Sequence, residues 1–130
     1  MAQIITNDGK KIILDRSFNS SPTRTAPSQF KVGTDNTSPS LSDTDLIAPV
    51  SIDGDNFKNF VTGYPTLDLT NMKVTIRGLL LSTEANGNSL KEFGTVNSDG
   101  TPLMFSRSTH TAINKTSSIE IAYIDKSKLI

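Results

Sequence analysis

Apolar and polar residues alternate with a period of two over several short stretches, a pattern that predicts a chain built mainly of β-strands. Met72, Val74 and Ile76 alternate with Lys73, Thr75 and Arg77, the clearest half-buried strand. Gly78 breaks that phase before Leu79-Leu80-Leu81, which reads as a bulge. Leu90–Asn97 and Leu103–Arg107 are two more runs of β character, separated by Ser98-Asp99-Gly100-Thr101-Pro102. Asp-Gly between such runs signals a hairpin, because glycine accepts the positive φ of the turn. Ile119, Ile121 and Tyr123 alternate in a last strand. Strands at about Met72–Ser82, Leu90–Asn97, Leu103–Ser108 and Ser118–Asp125 are expected to pair as an antiparallel meander. Val74, Ile76, Leu80, Phe93, Phe105, Ile119 and Ile121 are its expected core.

The first half of the chain is expected to lie over this meander. Gln3–Phe18 has two readings. Asn7-Asp8-Gly9 between Ile4-Ile5 and Ile12-Ile13 suits a hairpin turn. Alternatively Thr6 or Asn7 caps a helix to about Phe18, with Leu14 and Phe18 on one face. Asn19–Ser28, with Pro22 and Pro27, is a connector. Gln29–Gly33 is a short strand presenting Phe30 and Val32 to one side, and Thr34–Asp45 is a polar loop. Leu46–Ile52, interrupted by Pro49, suits an edge strand. Asp53–Asn56 is a turn, and Leu67 and Leu69 alternate in a following strand. The expected fold is mainly β: an antiparallel β-sandwich with a short N-terminal helix. It forms one domain over 1–130, divided into helix (1–18), connector (19–28) and β core (29–130).

Composition narrows the function. At 130 residues the chain is one domain with a modest core. Thirteen basic residues balance thirteen acidic ones, so no basic patch favours nucleic acid, and copies repel one another little. The absence of cysteine excludes disulfides, thiolate metal sites and a cysteine nucleophile. No apolar run is long enough to span a bilayer, so no membrane partner is expected. Met-Ala-Gln-Ile-Ile-Thr does not read as a secretory signal, and assembly in a cytoplasm is expected.

Few residues suggest chemistry. His110, the only histidine, sits among Ser108, Thr109 and Thr111 in an expected loop, and reads as solvated or hydrogen-bonded rather than as a base. Asp43/Asp45 and Asp53/Asp55 lack the further oxygen ligands of a calcium loop and read as turn residues. No catalytic residue, metal ligand or cofactor site is assigned, and no enzymatic activity is expected. Phe57, Phe60 and Tyr64 suit a core or subunit contact, or else an aromatic platform for a sugar. Arg107 is read as a structural residue, either solvated at a strand end or bonded to Glu92 or Glu84 across the hairpin.

Three segments in series carry a family resemblance. They are Ile5-Thr6-Asn7-Asp8-Gly9-Lys10, then Phe30–Pro39 with Ser42-Asp43-Thr44-Asp45-Leu46, then a closing series. The last comprises Glu84-Ala85-Asn86-Gly87, Glu92-Phe93-Gly94, Gly100, Met104-Phe105-Ser106-Arg107 and Ile113–Ser118. Together they resemble small virion structural proteins of tailed bacteriophages, related to tail-collar fibre and other tail-associated proteins. The family usually has an apolar pair where this chain has Thr95-Val96.

The resemblance implies a helix after Ile5. It also implies a non-enzymatic, tail-associated subunit of the virion that assembles as a homo-oligomer and with other phage virion proteins. Capsid decoration or a head fibre is the alternative within that class. A carbohydrate-binding module using Phe57, Phe60 and Tyr64 is the alternative outside it. Asn19–Ser28 and Thr34–Asp45 offer little apolar surface, so contact with other subunits is expected to order them.

Overall fold

The computed structural model describes residues 2–128. Its elements are β1 (Ala2–Ile5), α1 (Asn7–Phe18), β2 (Gln29–Gly33), β3 (Lys58–Asn59), β4 (Thr66–Asp68), β5 (Lys73–Leu80), β6 (Ser89–Val96), β7 (Met104–Asn114) and β8 (Ile121–Lys128). Five strands form one sheet in the order β1-β7-β6-β2-β3, and three form a second in the order β4-β5-β8. All pairings are antiparallel. Phe30, Val32, Leu90 and Phe93 from the larger sheet pack with Ile76 and Leu80 from the smaller in one buried cluster. The fold is mainly β, two antiparallel sheets face to face with one helix near the N-terminus.

The β6–β7 hairpin forms as its sequence predicts, but the four-strand meander does not. β5 pairs along its whole length with β8, and the hairpin between them belongs to the other sheet. Alternation holds within β5, where Ile76, Gly78 and Leu80 are buried, and the partner differs from the expected one. Val74 and Ile121 are partly buried against the core, Phe105 is half-buried, and Ile119 precedes β8 and is exposed. Met72 lies outside β5 at φ 55°.

Gly78 is not a bulge, since the β5–β8 register runs through it unbroken. It is small because the Phe30 ring lies on it: a Cβ there would sit 2.9 Å from Phe30 Cδ1. The register shifts fall instead in the hairpin, between Leu90 and Glu92 and between Thr95 and Val96. The hairpin turn does not use Gly100 at positive φ, a conformation taken by Gly54, Gly63 and Gly87. Asn97 holds the loop, its Oδ1 accepting from Leu103 N at 2.9 Å and its Nδ2 donating to Asp99 Oδ2 at 2.9 Å. Thr95 is fully buried, and its hydroxyl bonds Ser106 Oγ at 2.6 Å across the strands.

The N-terminus contains both a strand and a helix. Ala2–Ile5 pairs with β7, from Ala2 opposite Thr109 to Ile5 opposite Ser106. Thr6 then caps α1, its hydroxyl accepting from Gly9 N at 3.0 Å and donating to Met104 O. Asp8 in the first turn and Arg16 in the last complement the helix dipole. Gly9 and Ile12 face inward, and Leu14 and Phe18 face solvent. Leu46–Ile52 is not a strand; it makes a single bridge, Pro49 to Gly33. The 34–48 segment instead covers the outer face of the larger sheet, where Leu46 packs with Val96 and Met104.

Candidate functional site

Glu92 on β6 and Arg107 on β7 form the centre of that outer layer. Arg107 Nε donates to Glu92 Oε1 at 3.0 Å, and neither side chain is exposed. The register places Arg107 opposite Gly94, so the two side chains meet diagonally across the hairpin. A buried pair loses hydration, and it is retained at low cost only when its other donors and acceptors are also satisfied. Here the protein backbone supplies most of them. Glu92 Oε1 accepts from Ile47 N at 3.0 Å, and Oε2 accepts from Ala48 N at 2.9 Å and Asp35 N at 3.1 Å. Arg107 Nη1 donates to Thr37 O at 2.8 Å and Asp43 Oδ2 at 3.3 Å, and Nη2 lies 3.9 Å from Asp35 Oδ1. Gly33 leaves room for this, since a Cβ there would meet both Ala48 O and Glu92 Oε2 at 2.5 Å.

One ion pair therefore fastens the whole 34–48 segment to the sheet. Thr34–Asp45 obtains these contacts within its own chain. The connector is tied similarly: Asp15 Oδ2 accepts from Thr23 N at 3.0 Å and Arg24 N at 2.9 Å, and Asp99 Oδ1 accepts from Thr25 N at 3.1 Å. Within one chain, charged side chains already hold parts of both segments, whose low apolar content points to contact with neighbouring subunits.

Glu84 does not reach Arg107. Its Oε1 accepts from Lys58 Nζ at 2.7 Å and from Leu81 N at 2.7 Å. Burial pushes the Glu84 carboxyl up, but the bonds from Lys58 and Leu81 and the charges of Lys58 and Lys115 outweigh it and leave it below its usual 4.5. A depressed carboxylate contributes stability that is full above its unfolded value and is lost as pH falls through the folded one. Denaturant midpoints measured from pH 6 downward are expected to start falling near pH 4.5. Glu84→Gln should start lower and fall less steeply over that window, the rest of the slope coming from Asp15, Asp35 and Asp68, which hydrogen bonds also hold low. Beside Glu84, buried Lys115 donates from Nζ to Asn86 Oδ1 at 2.8 Å and to Thr116 O at 3.0 Å.

The aromatic platform is not assembled. Phe60 is buried in the core, Tyr64 packs against that core, and Phe57 alone remains exposed, at 40 %. His110 lies on β7 rather than in a loop. Its Nδ1 bonds Thr111 O at 2.8 Å, and its Nε2 bonds the Tyr123 hydroxyl at 2.9 Å. Donation from Nδ1 leaves Nε2 to accept from Tyr123. Tyr123 also stacks on Phe93 with centroids 4.6 Å apart, and burial raises its phenol. The histidine thus joins the two sheets. Among the described residues, no group of three histidine or carboxylate side chains is placed to hold a metal. Asp43 and Asp45 are used as acceptors, for Arg107 and for Lys31 at 2.8 Å.

The pattern of the sequence did not reveal one further feature. Between α1 and the β4–β5 turn lies an open groove of about 430 Å³, with Ile12 and Ile13 on one wall, Leu67, Leu69 and Met72 on the other, and Phe105 among its lining residues. Arg16, Asp68 and Lys73 also line it. The expected strand ends at Asp68 and leaves Leu69 in the turn, and no second layer covers Leu67 or Leu69, which are 69 % and 84 % exposed.

No family model, curated protein or solved structure matches the chain.

Proposed function

We propose that this chain is a non-enzymatic structural subunit of a tailed-bacteriophage virion, placed at the tail, and that it assembles with copies of itself and with neighbouring virion proteins. One observation supports the reading: the segments that carry the resemblance are each other's contact partners in space. Thr6 bonds Met104 O. Asp35, Thr37 and Asp43 bond Glu92 and Arg107. Asn86 and Gly87 bond Lys115. Residues far apart in sequence that combine in this way specify a scaffold. Their polar groups are taken up in holding loops, as suits a subunit whose work is to keep a shape. The sugar-binding reading is weaker, because two of its three aromatics are packed in or against the core.

The test is the composition of purified particles. Peptides of this chain are expected in tailed particles at a fixed, multiple copy number, with a label on the chain decorating the tail. Finding it only in the soluble lysate would refute the proposal, and a label on the head would move it from tail to capsid.

A further inference from the structure

Five large apolar side chains around α1 and the β4–β5 turn stand in water: Leu14 (59 %), Phe18 (83 %), Leu67 (69 %), Leu69 (84 %) and Met72 (57 %). They make two different shapes. Leu14 and Phe18, four residues apart, form a ridge on the outer face of α1, because Gly9 and Ile12 occupy the inner face. Leu67, Leu69 and Met72 line the groove on the flank of the same helix. We infer that the occupant of the groove is the Leu14–Phe18 ridge of a second copy of this chain. This deepens the reading of the chain as a subunit that packs against copies of itself, and it rests on that reading.

Three properties point to a copy as the partner. The first is shape. Ridge and groove belong to one helix, and the ridge faces away from its own groove, so a lone molecule fills neither. Two copies satisfy both.

The second is area. At roughly 60–120 Å² for each of the four aliphatic side chains and ~150–250 Å² for Phe18, these exposures present on the order of 400 Å². A standard interface buries ~800 Å² per partner, and a pair of copies with each ridge in the other's groove would cover all five side chains on both partners, about half of that.

The third is charge. The chain is neutral, so a copy approaches without net repulsion. Arg16 and Lys73 beside Asp68 give the groove cations and an anion together, which disfavours a strongly charged partner of either sign. The ridge is also preorganised, since the Thr6 cap and the seat of Gly9 on β7 hold α1 before any partner arrives.

The natural chain lacks cysteine, which makes the test direct. Phe18→Cys and Leu69→Cys copies, mixed and mildly oxidised, are expected to give a covalent dimer that contains one of each. Sedimentation velocity of the full chain is expected to show self-association. Phe18→Glu or Leu69→Glu should each raise its dissociation constant at least ~tenfold while leaving unchanged the thermal midpoint measured at dilutions where the natural chain is monomeric, both positions being solvent-facing in the lone chain. A monomeric natural chain at ~0.1 mM, which would leave the groove to a different partner, overturns the inference. So does association that both glutamate variants retain, or cross-linking no faster in the mixture than in either variant alone. Particle composition separates this inference from the broader reading. Unchanged copy number with both glutamate variants overturns the docking alone, whereas a chain missing from particles overturns the virion proposal.

Discussion

Replacing Arg107 by alanine is expected to destabilise the fold by about 3–5 kcal/mol, the usual cost of leaving one partner of a buried pair without the other. Domains of this kind have ~5–15 kcal/mol in total. The thermal midpoint should therefore fall by roughly 10–20 °C, and part of the population should unfold at 37 °C. The loss has two sources. Glu92 would keep its buried charge without the Arg107 guanidinium, and Thr37 O and Asp43 would lose their donor. Converting the pair to two leucines is not expected to rescue it, although such replacements are often neutral elsewhere. Glu92 also receives Asp35 N, Ile47 N and Ala48 N, and leucine accepts nothing. Urea unfolding of Arg107→Ala, Glu92→Leu and the double variant measures this. The Lys11–Asp8 pair, with Lys11 in solvent, is the control, and Lys11→Ala should shift stability by no more than about 0.5 kcal/mol. An Arg107→Ala loss no larger than that control would refute the account.

Gly9→Ala is expected to destabilise, against the rule for helices. Alanine in place of glycine within a helix ordinarily gains about 1 kcal/mol. At this position a Cβ would run into the Phe105 carbonyl and come within 2.9 Å of Ile5 Cγ2. Neither the β7 backbone nor the Thr6 cap can yield without losing bonds, so α1 must lift from the sheet. Such overpacking costs about 1–3 kcal/mol and occasionally more. Gly54→Ala distinguishes a general glycine effect from this steric one: nothing lies near its added Cβ, and only its φ of 82° opposes it. Thermal melts of the two variants should therefore show the larger loss at Gly9. Equal losses would mean that the close seat of α1 on β7 does not matter.

The parts of this fold that were legible in the sequence are those whose cause is local. Phe30 and Val32 in β2, the alternation in β5 and the β6–β7 hairpin are each set by neighbours within a few residues. The hairpin brings Arg107 near Glu92, but the sequence leaves open a solvated strand end and a bond to Glu84 beside the bond that forms. The pairing of β5 with β8 was not, because a period of two shows that a strand has a buried face and leaves its partner open. Gly78 shows the same limit. A strand glycine marks either a bulge or a close approach, and Phe30, which decides between them, lies far away in sequence. β1 is only four residues long, too short for alternation to mark it. The groove escaped because alternation in Leu67 and Leu69 implies a covered face, and in this molecule that face is open.

The pairing of β1 with β7 also sets an order of events during synthesis. Thr6 bonds Met104, 98 residues further along the chain. At a ribosomal rate of ~5–20 residues per second, the N-terminal segment waits roughly 5–20 s for the strand that receives it. Until then Ile4, Ile5 and Ile12 have no sheet to lie on, and α1 lacks the carbonyls that seat its cap. The helix that carries both ridge and groove is thus fixed among the last parts of the chain. A truncated or stalled chain that lacks β7 would leave α1 and the groove beside it without their seat.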